Sequence, residues 1–332
     1  MSPTVFFASA SVLALVYAYW NGANDRANSI ATIVKTRALS YTQAVVLAGI
    51  LNFLGPLVST AVAKTIAKGI VPPELVTQAI VLGGLTGAVL WAWFATHYGI
   101  PVSITHSLVG GVAGAGIAAH GFGVLKWDIL FSKILLAIAV APAAGFLGGF
   151  FILIMLKWIM FPFRFSRYSA NWFWRWGQVF SSSGLSFAHG MNDGQNAIGI
   201  MALAFFTAGF SSEIEITWWM IALGAGAIGL GTMISGYRVM RTVGWEITDL
   251  EPIDGFAAEA SSAGVLALGS LLGWPMSTTH VAVAGILGAG GAKSFHAVNW
   301  KVTRGIVVAW LLTIPAAGAV GWGTYFIFSL IS

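Results

Sequence analysis

The 332-residue chain is 58% hydrophobic and only 8% charged, with a formal net charge of +5. Soluble domains carry about a quarter charged residues, so this composition cannot supply a water-facing surface, whereas a hydrocarbon solvent accounts for it. The basic residues are scattered at segment ends, which argues against a nucleic-acid surface, and the lack of cysteine excludes disulfides and thiolate metal sites.

A membrane-spanning helix needs about 20 mostly apolar residues. Ten candidate segments follow in order, near 4–34, 42–63, 76–97, 102–119, 130–159, 180–209, 217–237, 256–272, 275–291 and 304–331. The first is expected to start the chain without a signal peptide, since Met1-Ser2-Pro3-Thr4 has no basic region. It is also expected to break at a polar motif. The segments 102–119 and 275–291 are short and start at Pro, so they read as half-helices or re-entrant hairpins. Small-residue pairs such as Gly83-x3-Gly87, Gly110-x3-Gly114 and Gly145-x3-Gly149 suit close helix packing in lipid. Residues 160–178 mix Arg164, Arg167 and Arg175 with Phe161, Phe163, Phe165, Trp172, Trp174 and Trp176. That mixture reads as an interfacial linker at headgroup depth.

Three motifs recur in the same order and at nearly one offset. Asn24-Asp25-Arg26-Ala27-Asn28 returns in the second half as Asn192-Asp193-Gly194-Gln195-Asn196. Pro101-Val102-Ser103-Ile104-Thr105-His106 returns as Pro275-Met276-Ser277-Thr278-Thr279-His280. Pro142-Ala143-Ala144-Gly145 returns as Pro315-Ala316-Ala317-Gly318. The expected organisation is therefore a first membrane repeat over 1–159, the linker 160–178, and a second repeat over 179–332. Five crossings per half give an all-α integral membrane protein of two inverted-topology repeats, with a substrate site near the bilayer midplane. One side collects Lys35, Arg37, Lys157, Arg164, Arg167, Arg175, Arg238, Arg241, Lys293, Lys301 and Arg304, and the other Lys64, Lys68, Lys126 and Lys133. The positive-inside rule places the linker in the cytoplasm and both termini outside.

Few acids interrupt the apolar segments: Asp25, Asp193 and, at a span edge, Glu259. Such residues are costly in lipid and usually mark ion or substrate paths. The N-D-x-x-N spacing sets Asn24 and Asn28, or Asn192 and Asn196, on one helix face beside the acid. Gly22, Gly190 and Gly194 would permit an unwound break there, freeing backbone groups for ions. Pro followed by Ser or Thr starts a helix whose free N–H groups suit an oxyanion, with hydroxyls of Ser103, Thr105, Ser277, Thr278 and Thr279 as added donors. His106 and His280 could donate to the anion, carry a proton, or simply pack. An oxyanion beside carboxylates points to phosphate, whose remaining O–H groups can donate to them, rather than to unprotonated sulfate. Asp25, Asp193 and Glu259 are alternatively ligands for a coupling cation. Gly224-Ala225-Gly226-Ala227-Ile228-Gly229 fits a dinucleotide fingerprint but follows no strand, so it reads as helix packing. The aspartates lack the Gly-x-Gly-Asp setting of membrane proteases, which argues against an enzyme.

At these motifs the sequence resembles the PiT family of inorganic phosphate transporters. Asn21-Gly22-Ala23-Asn24-Asp25-Arg26-Ala27-Asn28, His189-Gly190-Met191-Asn192-Asp193-Gly194-Gln195-Asn196, Pro275–His280 and Gly255-Phe256-Ala257-Ala258-Glu259 carry the resemblance. It implies cation-coupled phosphate uptake across the cell membrane, with both motif pairs around the substrate, and a homodimer. No cofactor is expected beyond a coupling H+ or Na+. Arg26 stands where Val is common. Asn52 stands where sodium-coupled animal relatives carry Glu and proton-coupled bacterial relatives carry Asn, which favours protons, while Glu259 keeps the matching acid of the second half.

Overall fold

The computed structural model describes residues 1–162 and 167–331. Phe163, Arg164 and Phe165 of the expected linker, and the Arg167 side chain, lie outside the described residues. Helix α1 spans Pro3–Lys35, α2 Tyr41–Leu54, α3 Ala61–Gly69, α4 Gln78–Tyr98 and α5 Ile104–His120. A short α6, Trp127–Ile129, passes through a wide turn, Leu130–Leu135, into α7, Leu136–Met160. The second half contains α8 Arg167–Thr207, α9 Trp218–Ile234, α10 Tyr237–Arg241, α11 Pro252–Leu271, α12 Thr278–Lys293 and α13 Trp300–Ser329. Among the described residues helices are the regular elements, and one isolated bridge joins Thr248 to Val298.

Four helices are long and apolar enough to cross a membrane: α1, α4, the α6–α7 unit and α13. The count rises to six if α2–α3, bent by 71°, and α9–α10, bent by 64°, each form one span. Helices α5 and α12, of 17 and 16 residues, reach only ~25 Å and fall short of a ~30 Å hydrocarbon core. Large apolar side chains point outward, as with Phe151, Trp158, Phe180 and Leu311. Such exposure is tolerable only against lipid.

The expected break at the N-D-x-x-N motifs is absent. Helices α1 and α8 run unbroken through residues 24–28 and 192–196. The polar side chains find partners on neighbouring helices, so the backbone keeps its own hydrogen bonds. The glycines serve close crossing instead. A Cβ on Gly22 would come 2.8 Å from Thr232 N of α9, and one on Gly190 would come 2.7 Å from Asn52 Cα of α2. The interruptions fall elsewhere, at the turns before α5 and α12. Helix α4 ends at Gly99 (φ +73°), with Ile100 N bonded to Ala95 O. Helix α11 ends in the same way at Gly273 (φ +70°), with Trp274 N bonded to Gly269 O. Only glycine adopts this left-handed ending without penalty, and the proline that follows two residues later prevents the helix from resuming.

The packing map keeps its form when the halves are exchanged. Helix α1 packs on α4 and α9, as α8 packs on α11 and α2. Helix α5 packs on α13, as α12 packs on α7. The last helix of each half therefore covers the other half, and the two interleave. The expected linker residues from Arg167 to Gln178 continue α8 as helix, with Trp172 and Trp176 exposed and Trp174 packed against Phe256.

The Gly190 crossing can be checked by stability. Gly190→Ala is expected to cost about 1–3 kcal/mol through overpacking, read as a lowered thermal midpoint in detergent. Gly226→Ala, where an added Cβ meets nothing within 4 Å, should keep or raise that midpoint.

Candidate functional site

Helices α1 and α8 lie antiparallel, and their polar residues form one buried line. Asp25 and Asp193 sit at its middle, 1% and 2% exposed. Thr279 Oγ1 donates to Asp25 Oδ1 (2.6 Å), and Thr278 Oγ1 lies 3.0 Å from Asp25 Oδ2 and 3.0 Å from Asp193 Oδ2. Thr278 has one hydroxyl proton and therefore satisfies one carboxylate at a time. Burying two carboxylates side by side requires a compensating positive charge, either a proton or a cation.

Two residues absent from the sequence-based candidates complete this cluster. With its amide oriented to satisfy both partners, Asn21 donates to Asp25 Oδ2 (3.1 Å) and Asp193 Oδ2 (3.3 Å). His189 Nε2 lies 3.7 Å from Asp25 Oδ2 and 3.6 Å from Asp193 Oδ2, too far for hydrogen bonds. Asn52 uses its amide N–H on Thr232 (3.0 Å), so Asn52 Oδ1 accepts from His189 Nδ1 at 2.8 Å. The Nε2 atom then faces the carboxylates with a lone pair, or with a second proton when the ring is charged. Donor atoms of Asp25, His189 and Asp193 lie within 4.8 Å of one another, a set able to hold a cation. The signal was present in the sequence. Asn21 and His189 each precede their aspartate by one helical turn, at matching positions of the two motif copies.

The remaining candidates divide into two groups. Asn28 Nδ2 donates to Thr279 Oγ1 (3.1 Å) and Asn196 Nδ2 to Thr105 Oγ1 (2.8 Å). Each half's asparagine thus grips the other half's threonine. Tyr17 OH joins this group by donating to Ile104 O (3.0 Å). Asn24 and Asn192 turn away. Asn24 Nδ2 donates to Thr96 Oγ1 (3.0 Å) and Ile100 O (3.3 Å); Asn192 Nδ2 donates to Ser270 Oγ (3.0 Å) and Trp274 O (3.1 Å). They hold the two helix-breaking turns. Ser103 and Ser277 cap α5 and α12 by accepting from His106 N and His280 N. The N–H groups of Ile104, Thr105, Thr278 and Thr279 have no acceptor within their own helices. His106 and His280 meet edge to face, ring centres 4.8 Å apart, and His280 stacks on Trp310 at 4.0 Å. Arg26 donates to Thr232 O (3.5 Å), lies over the Tyr41 ring, and makes no ion pair with either aspartate.

Glu259 stands apart from the aspartates. It is buried and accepts from Thr32, from Gln178 Nε2 (3.1 Å) and from Ser181 Oγ (2.6 Å). Thr36 Oγ1 donates to Gln178 Oε1 (2.6 Å) and extends the line toward the Lys35 end of α1. Thr32 lies two helical turns beyond Asp25, ~10 Å along α1.

Two matching hydrogen bonds flank the site. Thr65 Oγ1 of α3 donates to Gly273 O (2.8 Å), and Thr242 Oγ1, just past α10, donates to Gly99 O (3.0 Å). Each ties the short helix after a bend to the glycine turn of the opposite half. Helix α3 packs toward the α8 C-terminus, where Ala63 N donates to Gln195 Oε1 (3.0 Å), and α10 packs toward the α1 C-terminus. Because α1 and α8 are antiparallel, the two latches stand at opposite ends.

A lipid-facing helical bundle that buries a doubled acidic site between two latches defines a membrane transport protein. The chain belongs to the PiT family: residues 21–321 match the model of the phosphate transporter family. It is 38% identical over 322 residues to a protein of Rhizobium meliloti described as a probable low-affinity inorganic phosphate transporter, covering 96% of both chains. A Bacillus subtilis protein of the same description is 36% identical, again over 96% of both. A solved structure described as the sodium-dependent phosphate transporter matches with a TM-score of 0.90 and 30% identity, covering 99% of this chain and 100% of that one.

Thr279 links Asp25, Asn28 and Val102 O. Thr279→Val is expected to lower stability by about 1–3 kcal/mol, the cost of leaving buried partners unsatisfied. Thr279→Ser should stay near wild type in the same thermal-unfolding measurement.

Proposed function

We propose that this phosphate transporter is a symporter in which inorganic phosphate and H+ or Na+ bind together between the two N-D-x-x-N helices and the starts of α5 and α12. One observation carries the reading: two carboxylates, one from each half, share the Thr278 hydroxyl and face His189 at 3.6–3.7 Å. The compensating charge this cluster needs is the coupling ion. Phosphate then meets free N–H groups at two helix starts and threonine hydroxyls, while its own O–H groups donate to carboxylates. The sodium dependence named for the solved relative brings Na+ into the proposal, and Asn52, bonded to His189, favours H+.

Candidate site residues from Asn24 to Thr279 are at most 3% exposed. Ligands therefore reach them only after one end opens, which is the requirement of alternating access. The latches Thr65–Gly273 and Thr242–Gly99 are the proposed outer and inner gates. The motif offsets and the exchangeable packing support two inverted repeats, 1–159 and 179–332, joined by the cytoplasmic linker 160–178. The Lys and Arg distribution supports a plasma-membrane orientation with termini outside. Glu259 is proposed as a second cation or proton station on the inner path. The family resemblance extends the proposal to a homodimer.

Proteoliposome uptake of labelled phosphate, driven in turn by a pH gradient and a sodium gradient, tests the symport. At least one gradient should drive accumulation, and Asp25→Asn or Asp193→Asn should reduce it to the level of empty vesicles. Sulfate uptake without phosphate uptake, or full accumulation in both variants, would refute the site assignment. The gates are tested on the natural cysteine-free background. In a Ser29→Cys chain, Thr242→Val should speed labelling by an impermeant thiol reagent at least about threefold from the linker side, as expected when a net hydrogen bond of ~1 kcal/mol is lost. Thr65→Val should not do so.

A further inference from the structure

Two lysines at one end of the molecule pair with carboxylates, whereas a lysine cluster at the other end does not. At the α1 C-terminal end, Lys35 pairs with Asp249 (3.1 Å) and Lys293 with Asp254 (2.7 Å). At the other end, Lys64, Lys68 and Lys133 line one cavity of about 340 Å³, and Lys126 reaches its rim by donating to Lys68 O (3.2 Å). No carboxylate lines this cavity, and among the described residues none lies within 4.0 Å of these lysine nitrogens. Lys64 and Lys68 are one turn apart on α3 and both are exposed. Three lysines around one open cavity that no carboxylate lines make a positive concavity that concentrates anions.

The floor of the cavity leads to the buried site. Gly273, which lines it, accepts the Thr65 hydroxyl, and the next residue, Trp274, offers its carbonyl to Asn192 (3.1 Å). Helix α3, which supplies two of the lysines, also binds the Gln195 side chain of the second N-D-x-x-N motif through Ala63 N (3.0 Å). We propose that this cavity is an antechamber for phosphate, holding the free oxyanion by charge before the Thr65–Gly273 latch opens. The proposal rests on the transport reading above. A free anion is favoured over a lipid headgroup because the cavity floor abuts the N-D-x-x-N helix, where a diffusing substrate must pass.

The test is the concentration dependence of phosphate uptake by the full chain in vesicles. Lys64→Gln/Lys68→Gln/Lys133→Gln together should raise KM about threefold or more and leave the maximal rate within twofold, because charge sets local concentration and not the turnover step. The triple Arg variant should restore KM, and Lys301→Gln at the other end should leave it unchanged. For the wild-type protein, KM should rise as choline chloride is added, since salt screens the lysines. This measurement needs no variant to fold. Unchanged KM in the Gln variant with intact uptake, or a salt-independent wild-type KM, overturns the antechamber while leaving the transport reading standing. A KM change seen in phosphatidylglycerol vesicles and not in phosphatidylcholine vesicles assigns the lysines to headgroups and overturns it too. Absence of any phosphate uptake by wild type removes both readings together.

Discussion

The constraint on which the rest of the structure depends is the burial of two carboxylates side by side in a molecule suited to lipid. A single ionised carboxylate is already costly there, and two compound the cost unless charge and hydrogen bonds are supplied. Asp25 and Asp193 receive hydroxyls from Thr278 and Thr279 and the Asn21 amide, with the His189 ring opposite. Thr278 and Thr279 come from the start of α12, Asn21 from α1 and His189 from α8. The site exists only when three elements from both halves are docked. Each supporting feature of the fold keeps these pieces close: glycines at the α1–α9 and α8–α2 crossings, glycine turns that end α4 and α11, and asparagines that bind those turns.

Doubling solves a second problem. A carrier that works through a sealed site needs two ends that open by comparable rearrangements. In the proposed inverted-repeat reading, one design supplies both ends. The paired bonds Thr65–Gly273 and Thr242–Gly99 and the crossed pairs Asn28–Thr279 and Asn196–Thr105 are the local traces of that economy. Interleaving follows from the same packing. With α7 covering α11 and α12, and α13 covering α4 and α5, neither half closes its own apolar surface.

Much of this was legible in the sequence. The ten hydrophobic segments all contain helices, most with ends within four residues of those expected; the exceptions are α2, which stops at Leu54 instead of 63, and α8, which starts at Arg167, well before the expected 180. Aromatic and basic residues at 167–178 look interfacial in composition, yet nothing in composition forbids helix continuing through them. The bent additions α3 and α10 were missed because nine and five residues give too little pattern to separate from their neighbours. The unwound break was expected from Gly22, Gly190 and Gly194, and the error was physical. Glycine permits unwinding, but it equally permits contact, and sequence alone does not say which use the neighbours demand. Types and spacings single out Asp25, Asp193, Thr105, Thr278 and Thr279, which the fold brings together between the halves, whereas Asn24, Asn192 and Glu259 take partners that only tertiary structure reveals.

The two halves depart from symmetry at the site itself. One helical turn before the aspartate, the first half has Asn21 and the second has His189. An amide can only donate to or accept from the carboxylates, while an imidazole can also change its charge or coordinate a cation. His189 is held by Asn52 of α2, which fixes the ring so that Nε2 faces both acids. In the proposed symport, a perfectly symmetric pair of halves would offer a coupling ion the same surroundings from either side. One coordinating ring on one half, and a lysine-lined cavity without carboxylates at one end, make the two faces of a symmetric scaffold chemically unequal.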